Sequence, residues 1–322
     1  MQTAWHPEHA IEIVAGTPPG GGLDRTARTL VATIAAERLL EVPVTVKNVP
    51  GDGARKAWTY MDTHAGDPHI VSISHPNLTT DRLVGIASFD YTAYTPIAIL
   101  YTEYIAFVVR ADSWVKTPAD LLERLRASAS SVTVALSTAL GNPNHIAFAR
   151  VVQHAGGEPR MPLVRVFDSA LDAIADVVAG KSEVGAVTAA SVASALAARQ
   201  VRVIAVSAPG RLGGGFADVP TWIEQSVDCI VGAWRGLAGA SGIGESHIAF
   251  WERLLEVIIA TDAWHDALSS QSWTPSYITG TALRRFLDDE REQMAATLTE
   301  LGLLRLDAAY SGRKTTERNV SS

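Results

Sequence analysis

Short apolar runs alternate with amphipathic stretches along most of the chain. Residues 11–16 (IEIVAG) alternate in polarity and predict a strand, and apolar residues at helical spacing follow as far as Glu37. The same succession starts again at Val44–Val46, at 70–73 (IVSI) and at 132–136 (VTVAL). Alternation of this kind predicts a mostly parallel sheet with helices on both faces, whose ligands lie beyond the carboxyl ends of the strands.

The later elements suggest a second, similar half. Residues 104–109 (YIAFVV) predict a strand, and Thr117 followed by Pro118 predicts the start of a helix over 119–127. Further strands are expected at 203–207 and 234–238, the latter returning towards the first half, and helices at 246–267 and 281–301. Since each half contains a strand, a loop of small residues and a helix, we expect an α/β fold with two lobes.

Two loops that open helices are candidate anion sites. The first is residues 17–22 (TPPGGG), where Asp24 can cap the following helix, and the second is residues 137–144 (STALGNPN). The first turn of a helix has unpaired N–H groups and a partial positive charge, and glycine lets a ligand approach the backbone. The alternative is that both are only tight turns with helix caps. The first loop matches neither a P-loop nor a dinucleotide fingerprint.

Composition narrows the function classes. The 322 residues carry a formal net charge of -7 without a basic stripe, which argues against a nucleic-acid binder. No apolar run is long enough for a membrane-spanning helix. The single cysteine, Cys229, excludes an internal disulfide framework and a zinc site of several thiolates, and its apolar neighbours predict a small core residue.

Three further positions allow more than one interpretation. His75 and His145 could serve as catalytic bases, but no activated serine motif or metal-ligand spacing accompanies them, so contact with a ligand or a structural role is the alternative. Asp168, in Phe167-Asp168-Ser169, could cap a helix or contribute with its neighbours to ligand binding. No metal or nucleotide cofactor is expected.

The combined motifs resemble the Bug, or TctC-like, solute receptors of tripartite tricarboxylate transporters. The resemblance begins at Pro18–Arg28 (PPGGGLDRTAR) and continues through Val46–Gly51 and Val109–Ser113. It also includes Tyr94–Ala98, Gly141–His145, Asp218–Thr221 and Trp234–Gly236, and the order and spacing of these segments cover roughly residues 11–301. The chain departs from the family pattern at Phe167–Ser169 and around Thr188, where the variable end of a ligand is expected.

The resemblance implies a type II periplasmic-binding-protein fold with two lobes joined by two crossovers. We expect lobe 1 to comprise 1–107 and 229–310, lobe 2 to comprise 108–228, and 311–322 to be a disordered tail. The expected ligand-binding residues are Thr17, Gly20, Gly21, Gly22, Leu23, Ser74, His75, Asn77, Ser137, Thr138, Leu140, Gly141, Asn142, Asn144, His145, Phe167, Asp168, Ser169 and Thr188.

The functional expectation is a monomeric periplasmic protein that captures a C4 to C6 dicarboxylate or an aromatic carboxylate for the membrane subunits of such a transporter. Export implies a signal peptide removed before Met1, because the first residues lack its basic and apolar regions. The alternatives are an enzyme on the same scaffold using His75 or His145, and a cytoplasmic ligand sensor.

Overall fold

The computed structural model describes residues 5–305. Its strands are β1 (Ile11–Ala15), β2 (Val44–Asn48), β3 (Ile70–Ser74), β4 (Thr95–Arg110), β5 (Thr133–Ser137), β6 (Leu163–Phe167), β7 (Val184–Thr188), β8 (Val201–Val206), β9 (Gly232–Gly239) and β10 (Thr274–Thr279). Its α-helices are α1 (Gly22–Ala36), α2 (Arg55–Asp62), α3 (Asn77–Leu83), α4 (Pro118–Ser128), α5 (Pro143–His154), α6 (Ala170–Val178), α7 (Ala189–Ala197), α8 (Glu245–Ile259), α9 (Asp262–Ser270) and α10 (Gly280–Glu300). The predicted tail at 311–322 lies outside the described residues.

The strands form one mixed sheet in the order β2-β1-β3-β9-β4-β7-β5-β6, and β8 and β10 also pair with β4. β1 is parallel to β2 and β3, and β5 is parallel to β6 and β7. Every pair involving β4 or β9 is antiparallel. The expectation of a mostly parallel sheet was therefore wrong for the middle of the sheet, because β4 and β9 are not part of strand–helix–strand repeats.

Strand β4 belongs to both halves of the sheet. Its residues 95–104 pair with β9 and β10, whereas its residues 105–110 pair with β7 and β8. We call the two groups of strands the first and second half-sheets. The sequence predicted only 104–109 of this strand, because the buried acid Glu103 interrupts the apolar pattern on its N-terminal side.

Helices cover both faces of each half-sheet, as the sequence predicted. On the first half-sheet, α1, α8 and α9 share one core while α2, α3 and α10 share the other. On the second, α4 and α5 pack on one face and α6 and α7 on the other. Cys229 is fully buried, which confirms it as a core residue, and burial raises the pKa of its thiol to about 12.

Two helix predictions need correction. Asp24 is not the cap of α1: Gly21 is, and Asp24 lies in the first turn. The apolar pattern over 246–267 belongs to two helices, because the Thr261 side chain accepts a hydrogen bond from the Trp264 N–H and starts α9 there.

The predicted lobe boundaries lie close to where pairing along β4 changes. The end of α10, however, places Leu298 and Leu301 in the core of the second half-sheet, and Arg150 of α5 pairs with Glu300 at 2.8 Å. This helix therefore contacts both halves, and the assignment of 229–310 to one lobe stays a prediction. Within residues 5–305, no helix is both long and apolar enough to cross a membrane.

Candidate ligand-binding site

A small cavity lies between the two half-sheets. It opens at the carboxyl ends of β1, β3, β5 and β7, the edge where ligands of open α/β sheets bind. The polar residues that line it are Thr17, His75, Asn77, Ser137, Thr138, Asn142, Asn144, Thr188, Ser191 and Arg235. The remaining lining residues are Gly22, Leu23, Pro76, Pro143, Ala170 and Ala233, so no aspartate or glutamate is among them.

The first side of the cavity is the α1 start, residues Thr17–Asp24. Within this loop the Gly20 N–H donates to the Asp24 carboxylate at 2.8 Å, the Gly21 N–H to the Pro18 carbonyl, and the Asp24 N–H to the Thr17 hydroxyl. Among residues 5–305, the N–H groups of Gly22 and Leu23 have no acceptor. The Thr17 N–H has no acceptor there either, so the three donors that remain free in this loop belong to residues that line the cavity.

Asp24 stabilises the shape of this loop. Burial alone would raise the pKa of its carboxyl, but hydrogen bonds from Arg28, Asn48 and the Gly20 N–H lower it. The side chain is fully buried at the base of the loop. Its carboxylate thus fixes the turn and is not part of the cavity lining.

The opposite side is the α5 start, residues Ser137–His145. Pro143, the first helical residue, has no N–H, and the His145 N–H donates to the Asn142 side chain at 3.1 Å. Asn144 is left with a free backbone N–H, and its side-chain amide donates to the Ser137 hydroxyl at 2.6 Å. The Asn142 backbone N–H has no acceptor within residues 5–305 either, so this side offers backbone donors from two lining residues together with neutral amides and hydroxyls.

Hydrogen bonds around the cavity join residues of the first half of the protein to residues of the second half. The Asn77 amide donates to the Thr138 hydroxyl at 3.1 Å, and the Arg25 guanidinium donates to the Ser191 hydroxyl at 2.9 Å. Gly53 approaches so closely that a Cβ there would lie 2.3 Å from the Thr138 carbonyl oxygen. The sequence analysis gave Gly53 no role, because the contact joins residues far apart in the chain.

Both histidines are buried and electrically neutral. Burial, followed by the positive charge of Arg235, lowers the pKa of His75 to about 3, although the Asn77 side chain opposes the shift. Burial lowers the pKa of His145 to about 4, and its Nδ1 accepts the Gly141 N–H at 3.0 Å. Only His75 lines the cavity.

Ten of the nineteen residues predicted for binding line the cavity: Thr17, Gly22, Leu23, His75, Asn77, Ser137, Thr138, Asn142, Asn144 and Thr188. The structure places Gly20, Gly21, Ser74, Leu140, Gly141, His145, Phe167, Asp168 and Ser169 outside the lining. Gly20, Gly21 and Gly141 shape the loops, and Ser74 lies at the end of β3. Leu140 is 43% exposed.

The structure corrects the helix-cap interpretation of Asp168, while its role in ligand binding stays a prediction. Ser169, not Asp168, caps α6 by accepting the Asp172 N–H. The Asp168 carboxylate accepts the Gly53 N–H at 3.4 Å, across the interface between the halves. The residue from this segment that lines the cavity is Ala170.

Arg235 is a charged residue of the cavity lining, and the sequence analysis did not select it. It lies in β9, and only 8% of it is exposed. A single arginine in the apolar segment GAWRGLAG was the available signal, since a buried charge needs a partner. Along this strand, the neighbouring Trp234 packs on the opposite side against α10.

The fold is that of periplasmic binding proteins of known structure. Residues 27–303 match the family described as "Tripartite tricarboxylate transporter family receptor", and the chain belongs to that family. It is 23% identical over 305 residues to Protein BugT of Bordetella pertussis, covering 92% of this chain and 90% of that protein.

Solved structures have the same fold. An R. palustris protein solved with adipate superposes with a TM-score of 0.84 at 18% identity, covering 92% of this chain and 98% of the other. MatC from Rhodopseudomonas palustris, solved with bound malate, superposes with a TM-score of 0.75 at 18% identity, covering 93% of this chain and all of the other. The type II periplasmic-binding-protein fold expected from the sequence is thereby confirmed.

Proposed function

We propose that the protein is an extracytoplasmic receptor that encloses a small carboxylate between its half-sheets. One observation carries the proposal: free backbone N–H groups from two helix starts face one cavity whose lining has no carboxylate. Such N–H groups, at the positive ends of helix dipoles, bind anions whatever the net charge of the whole surface. The two relatives solved with adipate and malate support the same class of ligand.

The lining favours an aliphatic body over an aromatic one. The apolar groups that line the cavity are Leu23, Pro76, Pro143, Ala170 and Ala233, and no aromatic side chain other than the His75 ring is among them. Phe167, which the sequence analysis had placed against the ligand, is outside the lining. A C4 to C6 aliphatic dicarboxylate therefore fits better than an aromatic acid.

A binding role is also favoured over catalysis. A general base near neutral pH needs a pKa near 7 and a partner that orients it. His75 has a pKa of about 3 and lies beside the guanidinium of Arg235, and His145 lies outside the cavity lining with its Nδ1 occupied. Neither histidine has a nucleophile to activate in the described part of the chain.

Membership of the receptor family supports a role in transport. We propose that the closed receptor delivers its ligand to the membrane subunits of a tripartite tricarboxylate transporter, and that it does so as a periplasmic monomer. Ligand contacts to both half-sheets would favour closure, because a ligand shifts a conformational equilibrium only by its difference in affinity for the two states.

A thermal-shift screen followed by calorimetry tests the proposal. The compounds are succinate, malate, adipate, a tricarboxylate, benzoate and an uncharged hexose, each with purified full-length protein. We expect an aliphatic dicarboxylate to raise the melting temperature most, since a ligand at 100 times its Kd adds about 2.7 kcal/mol to the free energy of unfolding. A rise with the hexose and with none of the carboxylates would refute the proposal.

A further inference from the structure

We propose that Arg235 binds one acidic group of the ligand and makes the receptor selective for doubly charged ligands. The inference rests on the proposed function and extends it, because a backbone cradle alone does not require two charges on the ligand. Its basis is a buried guanidinium that lines the cavity and has unused donors beside the α1 start.

The hydrogen bonds of Arg235 leave one edge of its guanidinium unpaired. Its Nη1 donates to the carbonyl oxygens of Trp234 and Ala233, at 2.9 and 3.4 Å. Its Nε is completely buried without an acceptor in residues 5–305, and Nη2 makes no hydrogen bond there either. Because Nε is buried on the side of Glu103, Nη2 is the nitrogen whose donors remain for a carboxylate in the cavity.

The nearest acid does not satisfy this edge. Glu103 Oε1 lies 3.7 Å from Nε, beyond hydrogen-bonding distance, and Oε2 of the same carboxylate is buried without a partner. The Tyr101 hydroxyl limits its position, because it donates to Glu103 at 3.5 Å and bonds Thr26 of α1 at 2.6 Å. Glu103 thus compensates the charge of Arg235 while leaving its Nη2 donors free.

A second guanidinium converges on the same place. A Cβ built on Gly22 would lie 3.7 Å from Nη2 of Arg235 and 3.9 Å from Nη2 of Arg25. Arg25 bonds a carbonyl oxygen and a hydroxyl and has no acidic partner among the described residues. We call this place, defined by Gly22, Arg25 and Arg235, the guanidinium corner.

The charges in the corner favour a bound anion. Two guanidiniums meet there with one carboxylate, beside the free N–H groups of Gly22 and Leu23, and the neighbouring His75 is neutral. The α5 start, by contrast, offers only neutral donors. A ligand with one carboxylate at the guanidinium corner and a second at the α5 start would use both sides of the cavity.

The competing explanation is that Arg235 only neutralises the charge of Glu103. A double variant distinguishes this explanation from a role in ligand binding. Arg235→Gln alone leaves Glu103 as a buried unpaired charge and should destabilise the protein. Arg235→Gln combined with Glu103→Gln removes both charges and should regain most of that stability. Binding is therefore measured in the double variant, with circular dichroism and melting temperature as controls for folding.

The ligands are adipate and hexanoate, matched in chain length. In the native protein we expect adipate to bind at least about 30-fold more tightly, because a site built for a polar group rejects the analogue that lacks it. In the double variant adipate should weaken by about 30-fold, as expected when a buried charged partner is lost. Hexanoate should change by less than about 5-fold, because its single carboxylate can use the neutral donors of the α5 start.

Arg235→Lys provides a second readout, because it keeps the charge and loses the planar edge. It should retain more adipate affinity than the double variant. If the folded double variant binds adipate as tightly as the native protein, or keeps the native ratio of adipate to hexanoate affinity, the inference is wrong although the receptor still binds carboxylates. If neither ligand, nor succinate as the shorter match, binds the native protein, the proposed function itself fails.

Discussion

The α1 start and the α5 start face one cavity from opposite sides, yet they present different chemistry. The α1 start has two consecutive free N–H groups, at Gly22 and Leu23, and a guanidinium beside them. The α5 start has free N–H groups at Asn142 and Asn144, separated by Pro143, which has none, and its own side chains are neutral. Similar strand–loop–helix units therefore give a charged side and a neutral side, which would fix the direction in which an asymmetric ligand binds.

The largest effect is expected from placing a carboxylate in the guanidinium corner. A Cβ at Gly22 makes only ordinary contacts with the two guanidiniums, so Gly22→Asp fits the backbone and puts a negative charge in the first turn of α1. We expect the Kd of the best carboxylate in the screen to rise at least about 100-fold, since an internal anion occupies the site of the ligand.

Gly22→Asn is the control of nearly equal size, and calorimetry with thermal melting measures both variants. The neutral side chain should obstruct the corner with a smaller loss of affinity. The aspartate variant should melt at a higher temperature than the asparagine variant, because it pairs with the guanidiniums. Equal affinities and equal melting temperatures would show that the α1 start has no special affinity for anions.

An intermediate effect is expected at the α5 start from Asn142→Ala. This change removes the cap of α5 and the amide that donates to Ser137 and Thr138, both at 2.8 Å. We expect a loss of about 1–2 kcal/mol in the free energy of unfolding and a rise in Kd of about 5-fold, because the first turn that carries the Asn144 N–H loosens.

Ser169→Ala is the matched control for Asn142→Ala. Ser169 caps α6 and is 3% exposed, but it lies outside the cavity lining. It should lose about 1 kcal/mol of stability with Kd unchanged within about 2-fold, measured by denaturant unfolding and calorimetry. A change in affinity as large as that of Asn142→Ala would show that the Phe167–Ser169 segment contributes to ligand binding.

The smallest effect is expected from pH. Because burial and the charge of Arg235 lower the pKa of His75 to about 3, this histidine stays neutral between pH 8 and pH 6. The Kd of a dicarboxylate should change by less than about 2-fold over that interval, in which the ligand itself remains largely ionised. If the Kd instead fell towards pH 6 in the native protein but not in His75→Gln, the imidazole would have gained a proton and contributed a positive charge to the site.

The same shift has a consequence for stability. A folded-state pKa below the usual value of 6.5 means that the unfolded chain binds the proton more readily. The contribution of neutral His75 is therefore present above pH 6.5 and is lost as the pH falls from there towards 3. Compared with the native protein, His75→Gln should lose less stability on that acid side, as measured by melting temperature.

Local pattern was enough to predict most elements and the general location of the site. Strand–loop–helix succession depends on neighbours in sequence, so β1, α1, β5 and α5 and the loops between them could be placed from residue spacing alone. The motifs around Pro18, Asn142 and Trp234 also indicated the family to which the chain belongs. The sequence could not specify which N–H groups in these loops remain free, because Asp24 and His145 use some of them through folded geometry.

What the sequence by itself determined was a two-part α/β receptor fold with helix starts at the edge where ligands bind. Only the tertiary structure brought Arg235 of β9, Arg25 of α1 and Glu103 of β4 together, and only there does Gly22 lie beside two guanidiniums. The physical reason is the separation in sequence over which each kind of interaction acts. Capping and periodicity act over a few residues, whereas the pairing of buried charges is decided by strands that are distant in sequence and meet in the folded sheet.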